Sequence, residues 1–471
     1  MSANPPSYQN IDAKRAGERL GAAADIRGFA YAAALCERGR RDLALKGYAP
    51  DGRKRLRRFS IWEITRWMIP VAPAHLRRVL AANRDLPQGE SETQRGARWF
   101  TLEEVLTLRG HLAAEGSKSK QYQPYRPKAA PAKIVAVANF KGGVGKTSTA
   151  AHLAMSAALD GYRVLVVDLD SQGSITSIFG GVVEDEWRTA FALIARDFAR
   201  EIASERGQEN LDETLTEALK VRSDQVIQRT HWPNIDLIGA QLNLYWAEFQ
   251  IPVWRMTLKR WRLWDALARF FETDGVLERY DIVIVDTPPA LGYLTINALA
   301  AADILIVPLG ASYLEFESTG RFFDMLYATF ASIEDGENDA NRALGLPEVK
   351  FEWDAVRAVI TRYDPVQQAD LANVIQAYIG EFTVPHRQEF TALVGQAGEQ
   401  VKGIYEADYR EFNRDTYLRG RETFDRTYAQ VKELIVGAWS RDAGPGYPEA
   451  TGGEAPTQPG ARTAAMDDAN G

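Results

Sequence analysis

Residues 141–148 read KGGVGKTS: three glycines framed by two lysines and closed by two hydroxyls. Side chains of these types at this spacing hold phosphate. Gly142, Gly143 and Gly145 permit the tight path that turns consecutive backbone N–H groups toward one anion. Lys146 reaches the β- and γ-phosphates of a nucleotide, and the Thr147 hydroxyl offers an oxygen to Mg²⁺. Val144 and Ser148 complete the cradle. Lys141 has no task in an ordinary loop of this kind. The ordinary pattern G-x-x-x-x-G-K-[ST] puts glycine where Phe140 stands.

The loop needs a strand before it and a helix after it. "IVAVANF" is the strand, and "TAAHLAMSAALDGY" is a helix that stops at Gly161. The helix N-terminus adds partial positive charge where the phosphates sit. Further short apolar runs follow: "RVLVVDLD", "NIDLIGA", "YDIVIVD", "DILIVPL" and "AVRAVIT", each separated by longer helical stretches. Near-continuous apolar strands alternating with helices predict an α/β fold, a doubly wound, mostly parallel sheet covered on both faces. Two of these strands end in carboxylates, Asp168 with Asp170 and then Asp286. Strand C-termini are where such a sheet binds ligands. Trp254, Trp261 and Trp264, with Leu258 and Leu267, recur at helical spacing and predict a core-facing helix stripe.

The variant K-G-G-x-G-K-[ST] resembles the deviant phosphate loop of the ParA/MinD family of ATPases. The resemblance runs from about residue 133 to 430. "DLDSQGS" resembles the family's D-x-D-P-Q-G-N segment, with Ser171 and Ser174 in place of proline and asparagine. It implies that Lys141 crosses a homodimer interface to the phosphates of the other subunit, so that ATP joins the two copies. It implies that Asp170 orients the attacking water, that Asp168 supports the Mg²⁺ hydration shell, and that Asp286 holds Mg²⁺ through water. Thr287, Pro288 and Pro289 then begin a γ-phosphate-sensing switch. The expected cofactors are ATP or ADP with Mg²⁺. The expected catalytic residues are Lys141, Lys146 and Asp170.

The net charge of −7 hides an asymmetry. Residues 1–130 hold 24 Lys/Arg against 13 Asp/Glu, an excess of +11; the remainder holds 32 against 50, or −18. A basic front on an acidic chain predicts an anionic partner for the front. Cys36 is the only cysteine, which rules out an internal disulfide and a cysteine-held cluster, as well as the cysteines that the nitrogenase iron-protein type requires. The five histidines have no ligand spacing, so any metal must be held by oxygens. No apolar run is long enough to cross a membrane, and the N-terminal twenty residues carry no signal-peptide core. A cytoplasmic, nucleoid-associated protein is expected.

The chain divides into a helical segment at 1–50 that could drive dimerisation, a basic helical unit at 51–115, a polar linker at 116–132, the ATPase domain at 133–440, and a Gly/Pro-rich tail at 441–471 read as disordered. That tail is not the basic amphipathic helix of membrane-cycling relatives, so no membrane partner is expected. Within the basic unit, Ser60 with Glu63 forms a capping box, "IPV" breaks the helix, and Pro73 starts a second one. Thr101 and Glu104 cap a third helix. This resembles a winged helix-turn-helix of the MerR-like sort, whose second helix enters the major groove. Arg77 and Arg78 lie on that helix, and Arg95 and Arg98 lie in or near the wing. The cluster Arg53, Lys54, Arg55, Arg57 and Arg58 is expected on DNA phosphates.

The long ParA type, with RepA partition proteins of replication–partition plasmids as the nearest match, fits this layout. The expected function is DNA segregation, with a ParB-type centromere-binding protein as partner and operator binding through the front unit. The alternatives are a nucleotide-controlled transcriptional regulator without cargo, and a phosphotransferase.

Overall fold

The computed structural model describes residues 54–91, 96–114, 119–127, 130–183 and 185–442, together with residues 32, 35, 36, 38 and 39. Arg53 and Arg95, nearly all of the 1–50 segment and the tail beyond 442 lie outside the described residues.

The basic unit opens with β1 (Phe59–Ser60) and α1 (Ile61–Glu63), which runs on as one π-helical turn, Ile64–Met68. The Ser60 side chain accepts from the Glu63 amide and the Glu63 carboxylate accepts from the Ser60 amide, the predicted capping box. A break at 69–72 leads into α2 (Pro73–Ala82), with proline at its start as predicted. β2 (Trp99–Phe100) pairs antiparallel with β1, setting Phe59 opposite Phe100, and α3 (Leu102–Ala114) follows. Thr101 and Glu104 exchange hydrogen bonds at its start.

All six strands predicted for the second half form. They are β3 (Lys133–Val137), β4 (Val164–Asp168), β6 (Ile235–Ile238), β7 (Ile282–Asp286), β8 (Ile304–Gly310) and β9 (Ala355–Thr361). A short strand, β5 (Ile227–Arg229), pairs antiparallel at one edge; the sequence reading missed it. The order is β5-β6-β4-β7-β3-β8-β9, parallel from β6 onward. The period of two decides the layers. Ile134, Ala136, Leu165, Val167, Val283 and Val285 face one core, while Val135, Val137, Val164, Val166, Ile282 and Ile284 face the other. With both faces buried, no polar alternation survives in the strands.

The helix after the loop, α4 (Lys146–Leu159), lies in the second core. The tryptophan stripe does not form one helix. α5 (Ala247–Thr257) ends before Leu258, and α6 (Ala266–Thr273) starts eight residues later. The burial expectation holds, since Trp254, Trp261, Trp264, Leu258 and Leu267 are all buried. Trp261 donates to Asp197 (2.8 Å), and the chain turns to satisfy such contacts where a continuous helix would not. α7 (Tyr313–Leu344) is a 32-residue helix capped by Ser312, and α8 (Arg414–Asp442) closes the chain.

The basic unit shares the second core. Phe59, Met68 and Leu76 belong to one apolar cluster with α4 and α8. Arg109 of α3, buried, donates to Tyr122 O (3.1 Å) and Leu159 O (3.0 Å) and also to Met68 O. The proline-bearing stretch that follows is held down as well. Tyr122 is buried, and Arg126 donates to Leu277 O (2.8 Å), Tyr280 O and Asp281 (both 2.7 Å).

Candidate active site

The phosphate loop joins β3 to α4, at the point where the sheet's connections switch sides. Gly143 (φ 78°) and Gly145 (φ 84°) occupy the left-handed region that side chains disfavour, which explains both glycines. Asn139, buried, starts the turn. Its amide donates to Pro308 O (2.8 Å), and its carbonyl accepts from Lys141 N–H (3.0 Å). Val144 is buried as the loop's anchor, whereas Lys141, Gly142 and Gly143 are exposed. Lys146 is buried, and its ammonium donates to the carbonyl of Lys141 (3.2 Å). Burial pulls its pKa down, against the pull of Asp286 and Asp170. Thr147 and Ser148 lie half-buried in the first turn of α4.

Asp168 and Asp286 end neighbouring strands in register and are both fully buried. Asp168 is fully engaged. It accepts from Thr176 N–H (3.0 Å), Thr176 Oγ1–H (2.6 Å) and Asp170 N–H (3.0 Å), so it ties the 168–176 loop into shape. Burial still pushes it up to about 7. Asp286 differs, because neither of its oxygens has a hydrogen-bond partner of ordinary geometry. Burial first, then the Asp168 carboxylate, push it well above the usual carboxylate range; the Thr147 hydroxyl and Lys146 act only partly against this. Asp170 is half-exposed and accepts from Gln172 N–H (3.0 Å). Thr287 donates from its hydroxyl to Val137 O (3.0 Å), binding the end of β7 to the base of the loop.

A buried carboxylate without donors, beside a hydroxyl, fits a hard cation held by oxygens. Among the described residues no group of three or more His, Cys, Asp or Glu could hold a metal.

The sequence reading missed a clamp on the loop. Arg362, itself in the left-handed region (φ 53°), donates to Gly143 O (2.7 Å). Thr361 Oγ1–H donates to Val144 O (2.7 Å). Thr361 ends β9 and Arg362 follows it, so strand-end position was the only available signal.

The predicted DNA contacts separate into two groups. Arg55, Arg77, Arg78 and Arg98 are exposed. Arg58 is paired with Glu90 (2.6 Å) and half-exposed. Lys54 and Arg57 are corrections. Lys54 donates to Ile178 O (2.7 Å) and to Val401 O. Arg57 pairs with buried Glu63 (2.8 Å) and donates to Tyr405 O (3.0 Å) and Tyr417 OH (3.1 Å). Each satisfies acceptors inside the molecule, which removes it from any phosphate.

A family model described as an AAA domain matches residues 132–339. A protein of Sinorhizobium fredii named as a replication protein A is 32% identical over 408 residues, covering 85% of this chain and 91% of the relative. The chromosome partitioning protein ParA of Myxococcus xanthus is 32% identical over 302 residues, covering 62% of this chain and 88% of that one. A solved structure described as a partition protein shares the fold, with a TM-score of 0.53 at 15% identity over 86% of this chain and 98% of that chain. The deviant loop, the buried strand-end carboxylates and about a third of the aligned residues shared along nearly a whole relative place this chain in the ParA/MinD family of P-loop ATPases, as a long ParA-type member beside the replication proteins A.

Proposed function

We propose that this protein is an ATP-hydrolysing partition ATPase that segregates a plasmid or other replicon as a nucleotide-controlled dimer on DNA. The observation that carries the reading is Lys141, exposed at the head of its own loop while its carbonyl is held by Lys146. A lysine fixed there by its backbone, with its side chain outside, is placed to serve a neighbouring subunit. Such a group neutralises charge on the transferring phosphoryl, as an arginine finger does.

The loop amides from Gly142 to Gly145, with Lys146, Thr147 and Ser148, hold the phosphates. Asp170 orients the water that attacks the γ-phosphorus; ADP leaves and inorganic phosphate forms. Thr147 and Asp286 would hold Mg²⁺, which would neutralise phosphate charge, and Asp168 fixes the 168–176 loop beside them. A ParB-type partner accelerates hydrolysis and so releases the DNA. The front unit binds an operator as a winged helix-turn-helix through Arg77 and Arg78, helped by Arg55, Arg58 and Arg98, and represses its own operon.

The test is binding to a random-sequence duplex with ATP, ADP or no nucleotide at one fixed salt concentration, for wild type and Lys141→Ala. Tight binding with ATP alone, lost in Lys141→Ala, is expected. Binding indifferent to nucleotide overturns the reading. It would favour a second one, a transcriptional regulator without cargo, for which the exposed Arg77 and Arg78 speak.

A further inference from the structure

The turn Leu242–Trp246 and α5, which continues it, carry a run of large apolar side chains on their outward side, beside Gln250, Arg255 and Thr257. Leu244, Ala247, Ile251 and Trp254 face the core. On the other side Leu242, Tyr245, Trp246, Phe249, Val253 and Met256 are each between 50% and 73% exposed. Tyr245 and Trp246 pack on Phe249 with ring centroids 5.2 and 5.7 Å apart, so the aromatics form one ridge. An exposed apolar patch of this kind marks an interface.

The ridge stands on the edge of the sheet that carries the phosphate loop. β6 is parallel to β4, so its C-terminal end opens beside Asp168. The Ala240 amide donates to Thr176 Oγ1 (2.9 Å), whose own proton goes to Asp168. Three strand spacings, about 14 Å, separate β6 from β3. Glu248, on α5, accepts from the amides of Tyr293 (2.7 Å) and Leu294 (3.0 Å). These amides open the helix Tyr293–Ala301, directly after the 287–292 segment that leaves Asp286. A side chain at Gly292 would collide with the Glu248 carboxylate at 2.5 Å. Glu248 therefore links the ridge to the segment beyond Asp286.

We propose that this aromatic ridge is the apolar part of an interface with a second copy of the chain, and that Glu248 ties its position to the nucleotide site. The proposal rests on the dimer reading above. The six outward side chains offer no cation, and Arg255 on the same helix is paired with Glu337 (3.5 Å), so the patch does not suit nucleic acid, a ligand that requires cations. Lys141 emerges on the same edge, and the site it completes belongs to another copy. A large aromatic buries roughly 150–250 Å², so six half-exposed apolar side chains withdraw about 500–600 Å² per copy. A twofold pair then buries about 1,100 Å², near the lower bound of a specific interface before the loop's own contacts are added.

The test is sedimentation velocity of the full chain with ATP and Mg²⁺, with ADP and with no nucleotide. Trp246→Ser/Phe249→Ser is compared with wild type and with Tyr327→Ser, a still more exposed aromatic on α7. Binding of a fluorescent ATP analogue reports that each variant keeps its site. The ridge variant is expected to weaken the ATP dimer at least about thirtyfold while the Tyr327 control does not. A wild-type ATP dimer that persists in the ridge variant overturns the ridge and leaves the Lys141 reading standing. A dimer that forms without nucleotide and is lost in the ridge variant keeps the ridge as an interface and overturns its coupling to ATP. A wild-type chain that stays monomeric with ATP overturns both.

Discussion

Asp286 and Asp168 end adjacent strands, fully buried, with a shared burden of negative charge. Asp168 has three donors, and Asp286 has no ordinary one. An unsatisfied buried polar group costs about 1–3 kcal/mol. Asp286→Asn keeps a polar group there but removes the repulsion with Asp168, so it should raise the stability of the nucleotide-free protein while abolishing the gain on adding Mg²⁺ and ATP. Denaturant titrations with and without the nucleotide check both halves; a variant that is less stable in both conditions would make Asp286 a structural residue. All three aspartates could be picked from the sequence because each follows an apolar strand run. Which of the buried pair has donors could not, because Thr176, eight residues beyond Asp168, decides it.

At the scale of elements, the turn Gly403–Glu406 joins the helix of the phosphate loop to the front unit. His152 of α4 donates from Nδ1 to Ser148 O (2.6 Å), accepts from Ile404 N–H (3.0 Å) and stacks on Phe424 at 3.7 Å. Burial lowers its pKa to about 4. The sign follows from linkage: the folded-state value lies below the free value of about 6.5. His152 costs nothing above pH 6.5. Between pH 6.5 and 4 the unfolded chain takes up a proton that the folded chain refuses, so stability falls by up to the order of 3 kcal/mol. Asp168, raised to about 7, works in the opposite direction, gaining stability as pH falls below 7. The difference between wild type and His152→Gln isolates the histidine. The variant should lose less stability between pH 6.5 and 4, and equal slopes would contradict the assignment. Sequence reading found the six parallel strands of the large sheet from their apolar runs. It missed β5, with one buried residue in three, and the break after α5, where periodicity continues through a bend.

The whole molecule is decided by how the basic unit sits. Read by charge, 53–58 is a phosphate-binding cluster. In the fold, Lys54 and Arg57 are spent on carbonyls, a tyrosine and Glu63. Removing one partner of a buried ion pair costs about 3–5 kcal/mol. Arg57→Ala should lower stability by about 3 kcal/mol and leave the dependence of DNA affinity on salt unchanged. Arg77→Ala should do the reverse, leaving stability intact and reducing the salt slope by about one. A reduced slope in Arg57→Ala would restore it as a phosphate contact.

The sequence by itself determined the local chemistry of this protein. Loop glycines, the paired lysines, strand periodicity and helix caps depend on residues near one another in the chain, and each appears where its pattern lies. Only the tertiary structure decided which charges are free. Arg57 meets Tyr405 and Tyr417, and Arg362 meets Gly143, across more than two hundred residues. No local pattern records a partner that distant, because it is the packing of both units into one core that brings the acceptors within reach.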